Sequence, residues 1–189
     1  SYCDLIEGIA NAGVKCNVSL KLTALGLKVD KGLCWDNLSV ILDRARTYNT
    51  FIRMDMEDSE VTELTIEMCK KAVEYYPNCG TVLQAYMHRS SSDIDLLKNP
   101  NTNIRLCKGA YKENREIAIQ GYQEIRENFL NCAEKMIKND IYSCFATHDT
   151  WIIERLEKLL EKYNYSKENC EFQALSGVPI DSTLDELVS

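Results

Sequence analysis

The chain has 189 residues, and its 45% apolar share is enough to bury one substantial core. Lys and Arg number 22 against 29 Asp and Glu, and the resulting net charge of −7 gives no sign of a nucleic-acid partner. Nine cysteines without a CxxC pair argue against a secreted disulfide scaffold or a zinc site and favour reduced thiols in the cytoplasm.

Short apolar runs alternate with helical segments along the whole chain. A first helix is predicted from Tyr2 to Ala12, with Gly13 as its stop. The apolar runs are largely continuous, which is typical of parallel strands that are covered on both faces. The predicted strands are residues 17–22, 50–57, 81–87, 103–109, 142–148 and 170–175.

The segments between these strands have helical periodicity. A weaker helix is predicted from Ser90 to Leu97, with Ser90 and Asp93 as a capping box, and Asp58 is expected to cap the helix before it. In the second helix, the apolar stripe that is expected to face the protein core contains Leu38, Ile41, Leu42 and Ala45.

The alternation of strands and helices predicts an α/β fold with a parallel sheet, either doubly wound or closed. No glycine-rich turn follows the first strand, and polar groups close every strand, so a (βα)8 TIM-type barrel is favoured. Eight units typically need about 250 residues, and only six strands are predicted here. Residues 1–189 are therefore expected to form a single domain with about six strand–helix units, incomplete at both ends and part of a longer protein.

Each predicted strand closes on a polar or charged side chain. In a parallel barrel the carboxyl ends of the strands open onto one face, so these groups are expected to line one pocket. They are Lys21, Asp55, Gln84, Arg105 with Lys108, His148 and Gln173.

The residues alone leave the roles of these side chains open. Lys21 is either a lysine that extends past a strand end, a cationic clamp for a substrate carboxylate, or a Schiff-base lysine. Asp55 lies between Met54 and Met56 and is expected to pair with a cation such as Lys21 or Arg105. A structural ion pair would also explain Arg105.

Six motifs in this order resemble the proline dehydrogenase family: VSLKLTALG, FIRMDMEDS, VLQAYMHRS, IRLCKGAYKE, FATHD and FQALSGV. The resemblance extends from about Asn17 to Val178, and IRLCKGAY is its most specific part. It implies a flavoenzyme that oxidises L-proline to pyrroline-5-carboxylate by hydride transfer to FAD and passes the electrons to a quinone.

The resemblance also implies roles for individual residues. Lys21, Asp55, Arg105 and Tyr111 would be catalytic, and the substrate would contact Lys21, Asp55, Tyr111 and Leu175. Small residues after Lys108 would admit a flat ring or a phosphate, and Asp149 or Thr150 would cap a helix whose amino end favours a phosphate. The cofactor-binding residues would be Gln84, Arg105, Lys108, Gly109, Ala110, Thr147, His148, Asp149 and Gln173.

The chain departs from the family pattern in two respects: it nowhere contains the adjacent arginines that hold the substrate carboxylate, and no strand is predicted before residues 17–22. We therefore expect the full-length protein to oxidise proline and the 189-residue piece to bind flavin poorly or not at all. Two other interpretations stay open: a flavin-linked barrel oxidoreductase of the methylenetetrahydrofolate reductase type, and an inactive barrel fragment that acts as a binding or scaffold module.

The remaining expectations concern metals and location. No His, Cys, Asp or Glu grouping has metal-ligand spacing, so no metal is expected. No apolar stretch approaches the roughly 20 residues of a membrane span, and no signal peptide opens the chain. A cytoplasmic protein is expected, with a peripheral contact of the full-length protein to the inner membrane left open.

Overall fold

The computed structural model describes residues 1–177, in which six helices alternate with six strands. Val178, the last residue of the motif FQALSGV, and the rest of the chain to Ser189 lie outside the described residues. The helices are α1 (Tyr2–Asn11), α2 (Lys31–Thr47), α3 (Ser59–Tyr75), α4 (Ser90–Leu96), α5 (Tyr122–Lys138) and α6 (Thr150–Lys162). The strands are β1 (Val18–Lys21), β2 (Ile52–Asp55), β3 (Cys79–Gln84), β4 (Asn103–Cys107), β5 (Tyr142–Ala146) and β6 (Cys170–Gln173).

The six strands form one parallel sheet in which each strand neighbours the next in chain order. β1 pairs with β2 in a register that places Lys21 opposite Asp55, and β5 pairs with β6 so that Ala146 lies opposite Gln173. This order is the one that successive βα units of a TIM-type barrel produce, whereas a doubly wound sheet reverses its order. All six predicted strands are confirmed.

The chain divides into two compact units. The first contains Ser1–Val82 and Asn99–Asn103, and the second contains Leu83–Lys98 and, among the described residues, 104–177. The prediction that residues 1–189 form a single domain stays a prediction.

The core of the first unit is built on the inward faces of α2 and α3. The predicted α2 stripe is confirmed, since Leu38, Ile41, Leu42 and Ala45 are all buried. An unexpected member of this core is Arg53 on β2, which is fully buried. Its Nη1 donates to the carbonyl oxygens of Thr81 and Asn103, at 3.2 Å each. The guanidinium therefore satisfies backbone acceptors of β3 and β4 in the sheet interior.

The core of the second unit is formed by α5 packed on β5 and α6. The buried face of α5 contains Phe129, Cys132, Ala133, Met136 and Ile137. Two polar anchors hold this helix in place. Asn128 donates to the carbonyl of Ala85 at 2.6 Å, and Lys135 pairs with Asp95 at 2.6 Å.

Two local predictions need correction. The predicted burial of both faces fails for β1, where Val18 and Leu20 are buried but Ser19 and Lys21 are exposed. The predicted capping box of α4 is wrong because Ser90 is already the first helical residue. Its hydroxyl donates to the carbonyl of Gln84 at 2.5 Å, and the N-cap position is held by Arg89, which makes no side-chain capping bond.

The predicted cap of α3 is correct in position only. Asp58 occupies the N-cap, but its side chain makes no capping hydrogen bond.

All nine cysteines fall within the described residues, and all are free thiols. Among the helices of residues 1–177, none is long and apolar enough to cross a membrane.

Candidate active site

In the first unit, Lys21 and Asp55 end two adjacent strands and lie opposite each other in the register. Asp55 is half-buried and Lys21 is exposed. Lys21 ends β1 and belongs to its exposed face, because this strand alternates between buried and exposed residues. An exposed ammonium keeps its hydration and needs no buried counter-ion, so it remains available to a ligand anion.

The turn after Lys21 is fixed by a contact that sequence reasoning did not identify. Thr23 donates from its backbone N–H and its hydroxyl to the carboxylate of Glu57, at 3.2 Å and 2.7 Å. Glu57 is buried and follows β2 by two residues. The carboxylate thus ties the segment after β1 to the segment after β2, next to both Lys21 and Asp55.

In the second unit, the ends of β3 and β4 are joined through Gln84. Its side chain is buried, and its Oε1 accepts a hydrogen bond from the backbone N–H of Ala110 at 3.3 Å. Backbone bonds from Ala85 to Cys107 and from Tyr86 to Lys108 continue the pairing beyond the strands. These bonds hold the Lys108–Ala110 segment, while Tyr111 just beyond it is half-buried.

Gly109 has a packing role that its motif did not reveal. Its φ of 122° is unfavourable for any residue with a Cβ, and an added Cβ would lie 2.2 Å from the ring of Tyr86. The space that the glycine leaves is therefore filled by a tyrosine ring, which explains the residue without a ligand. The Tyr86 hydroxyl is buried, and among residues 1–177 no atom accepts or donates a hydrogen bond to it. Burial raises the pKa of this phenol to about 12.

Arg105 and Gln173 are brought together by β4 and β6. Arg105 Nε donates to Gln173 Oε1 at 2.6 Å, although 68 residues separate them in the sequence. The backbone carbonyl of Gln173 accepts from the N–H of Thr147 at 3.2 Å. Arg105 is thereby oriented by a neutral amide.

His148 orients the segment after β6. Its Nε2 accepts a hydrogen bond from the N–H of Leu175 at 2.8 Å, so this nitrogen carries no proton in the observed arrangement. Leu175 itself is 73% exposed. The two residues predicted from separate motifs are thus direct neighbours.

Asp149 is enclosed by donors from its own protein. Its side chain is 4% exposed, Arg126 donates to both of its oxygens at 2.8 Å, and the Tyr122 hydroxyl donates at 2.8 Å. Lys108 pairs with the same carboxylate. Although partial burial opposes ionisation, the hydrogen bonds from Arg126, Lys108 and Tyr122 hold the pKa of Asp149 well below its usual range.

These contacts alter the prediction for this residue. Asp149 occupies the N-cap position of α6 as expected, but its side chain makes no hydrogen bond to the helix N–H groups. Thr150 is the first residue of the helix rather than its cap. Neither Tyr122 nor Arg126 was identified from the sequence, because both lie on the polar surface of an ordinary amphipathic helix.

The donor set suits an anionic or electron-rich planar ligand. Gln84 and Gln173 end their strands, Lys108 directly follows β4, and Arg105 lies within β4, so the sheet can fix these hydrogen-bond donors. Within residues 1–177 no three His, Cys, Asp or Glu side chains are grouped as a metal site.

A surface groove of about 280 Å³ between α5 and α6 is a separate feature, lined by Leu130, Asn131, Glu134, Arg155, Lys158, Leu159 and Lys162.

Comparison with known proteins identifies the relatives of this chain. The family model described as proline dehydrogenase matches residues 1–182. "Proline dehydrogenase 2" of Bacillus subtilis is 35% identical over 173 residues, which are 92% of this chain and 57% of that protein. "Proline dehydrogenase" of Deinococcus radiodurans is 34% identical over 182 residues, 94% of this chain and 59% of that protein. The chain therefore spans a little over half the length of these relatives.

The solved structures agree with this assignment. The crystal structure of proline utilization A from Bdellovibrio bacteriovorus, inactivated by N-propargylglycine, superposes with a TM-score of 0.87 at 25% identity. The match covers 98% of this chain and 24% of that protein. The predicted fold class, α/β with the units of a TIM-type barrel, is confirmed.

Proposed function

Because this chain belongs to the proline dehydrogenase family, we propose that the full-length protein oxidises L-proline to pyrroline-5-carboxylate with FAD as the hydride acceptor. The observation that carries the proposal is the family match, which extends over residues 1–182. The donor set at the strand ends supports it, since cations and amides are the groups that a flavin and an amino-acid carboxylate require. A quinone is proposed as the acceptor of the electrons.

On the substrate side, we assign the carboxylate of proline to Lys21. The exposed ammonium at the end of β1 can form a charge-assisted hydrogen bond with a substrate carboxylate. Asp55, which is adjacent in the register, would balance the charge of the substrate amine. Tyr111 and Leu175 would supply apolar surface for the pyrrolidine ring.

On the cofactor side, we assign Gln84, Arg105, Lys108 and Gln173 to the flavin, with Gly109, Ala110, Thr147 and His148 beside them. Bound FAD would supply the acceptor for a hydride from the carbon next to the proline nitrogen. Arg105 is held by Gln173 and Gln84 is held by Ala110, so these donors are already oriented. Fixed donors stabilise negative charge without reorganising during the reaction.

The substrate assignment is tested in the full-length protein by Lys21→Met, with Lys15→Met as a control at another exposed lysine. Loss of one charge-assisted hydrogen bond should raise the KM for proline by about 10- to 100-fold and leave kcat within about threefold. The control should behave like the wild type. An unchanged KM in Lys21→Met would remove Lys21 from the proposed substrate site.

The class of reaction is tested by the choice of reductant. Under anaerobic conditions L-proline should bleach the flavin of the full-length protein, and NADH should not. Bleaching by NADH alone would favour the methylenetetrahydrofolate reductase type of barrel. Protein that is colourless and takes up no added FAD would favour a binding or scaffold module.

A further inference from the structure

A carboxylate lies at the amino end of α6, where an anionic ligand would otherwise be favoured. Asp149 is the N-cap residue, and helix amino ends attract negative charge through their free N–H groups. A second anion near an uncompensated Asp149 would be repelled. The charges that surround this carboxylate therefore decide whether an anion can bind beside it.

Two cations and one phenol surround Asp149. Arg126 binds it in a bidentate manner at 2.8 Å, Tyr122 donates at 2.8 Å, and Lys108 pairs with the same oxygen as Tyr122. With Lys108 and Arg126 at +1 each and Asp149 at −1, the cluster carries a net charge of +1. Without Arg126 the remaining pair would be neutral, because the charge of Lys108 would be balanced by that of Asp149.

Arg126 is itself held in place by aromatic rings. Its guanidinium carbon lies 4.3 Å from the ring centroid of Tyr122 and 5.3 Å from that of Trp151. Its side chain is 21% exposed. Contacts of this kind restrict a long side chain and favour one rotamer, so Arg126 is not a freely moving surface arginine.

We propose that Arg126 is a positioning residue of the cofactor side: it neutralises Asp149, so that the cluster it forms with Lys108 keeps one positive charge for the anionic part of FAD. This inference rests on the proposed function for the identity of the ligand. It assigns Asp149 to the support of Lys108 rather than to direct contact with the cofactor.

The test compares FAD affinity in the full-length protein, measured by quenching of flavin fluorescence at low and high salt. Arg126→Gln should raise the Kd about 5- to 20-fold and reduce its salt dependence, since one charge near the ligand is lost. Arg126→Lys should stay within about threefold of the wild type because the charge is kept. Arg155→Gln is the matched control, since Arg155 stacks on Trp151 at 3.7 Å and bonds to its carbonyl instead.

The decisive variant combines Arg126→Gln with Asp149→Asn, which restores a net charge of +1. Its Kd should recover to within about threefold of the wild type. A double variant that binds as weakly as Arg126→Gln would overturn the inference, because FAD affinity would then not follow the net charge of the cluster. Wild-type affinity in Arg126→Gln would overturn it as well.

A measurement without flavin separates this inference from the proposed function. In urea, Arg126→Gln should unfold at a lower concentration than the wild type, and the double variant should unfold at a higher concentration than Arg126→Gln. Wild-type protein that binds no FAD would contradict the proposed function, whereas the urea series tests independently whether Arg126 neutralises Asp149. Equal midpoints for the wild type and Arg126→Gln would overturn it.

Discussion

Replacing Gly109 by alanine should lower the free energy of unfolding by about 2–6 kcal/mol, because two costs fall on one position. The first is backbone strain: a φ of 122° costs a residue with a Cβ about 1–3 kcal/mol. The second is steric, since the new Cβ would lie 2.2 Å from Cδ1 of Tyr86, whose ring is buried. Displacing a packed ring typically costs about 1–3 kcal/mol.

Urea unfolding followed by circular dichroism measures this change, and two other glycines separate its causes. Gly13 has a φ of 67° with nothing within 4 Å, so Gly13→Ala reports backbone strain alone. Gly8 lies in α1 with nothing within 4 Å, and Gly8→Ala should stabilise the helix by about 0.5–1 kcal/mol.

The steric part is isolated by adding Tyr86→Ala. Once the ring is removed, Gly109→Ala should cost about 1–3 kcal/mol less than it does in the wild-type background. Equal costs in the two backgrounds would refute the packing of Tyr86 against Gly109. A Gly109→Ala variant no less stable than Gly13→Ala would refute it too.

Three further predictions concern acid, thiol reactivity and the sheet interior. The lowered pKa of Asp149 contributes stability that is present above the unfolded value, near 4, and is lost below it. Asp149→Asn should therefore lose less stability than the wild type between about pH 4 and pH 2, and equal acid sensitivity by urea midpoint would contradict this. Burial raises the pKa of Cys79 to about 12, so iodoacetamide at neutral pH should modify exposed Cys16 far sooner than Cys79. Peptide mass spectrometry measures the two rates, and equal rates would be inconsistent with the burial of Cys79 in the core. In Gly80→Ala the Cβ would lie 2.2 Å from the carbonyl oxygen of Asn103, so the free energy of unfolding in urea should fall by about 2–4 kcal/mol. An unchanged urea midpoint would argue against this close approach.

The elements of the fold were predictable because local patterns determine them. Each apolar run became a strand and each amphipathic segment a helix, although the predicted runs extended one to three residues past several observed ends. The run 50–57, for example, forms only Ile52–Asp55, since Glu57 turns to accept hydrogen bonds from Thr23 instead of pairing in the sheet. Local competition of this kind also explains the failed capping box, where the Ser90 hydroxyl bonds to Gln84.

The supporting contacts of the candidate site were not predictable in the same way. Arg126 reaches Asp149 across 23 residues of sequence, from the polar surface of a helix whose periodicity describes only its buried face. The packing of Tyr86 on Gly109 likewise depends on the pairing of β3 and β4 beyond their ends. Pattern and resemblance could indicate which strand ends matter, whereas the partners that orient those groups follow from tertiary structure.

The most direct test of the account is an anaerobic titration of the full-length, FAD-loaded protein with L-proline, followed by the visible absorbance of the oxidised flavin. Stoichiometric loss of that absorbance, with release of pyrroline-5-carboxylate, is the predicted result. Flavin that stays oxidised in saturating proline, in protein whose flavin a chemical reductant does bleach, would contradict it.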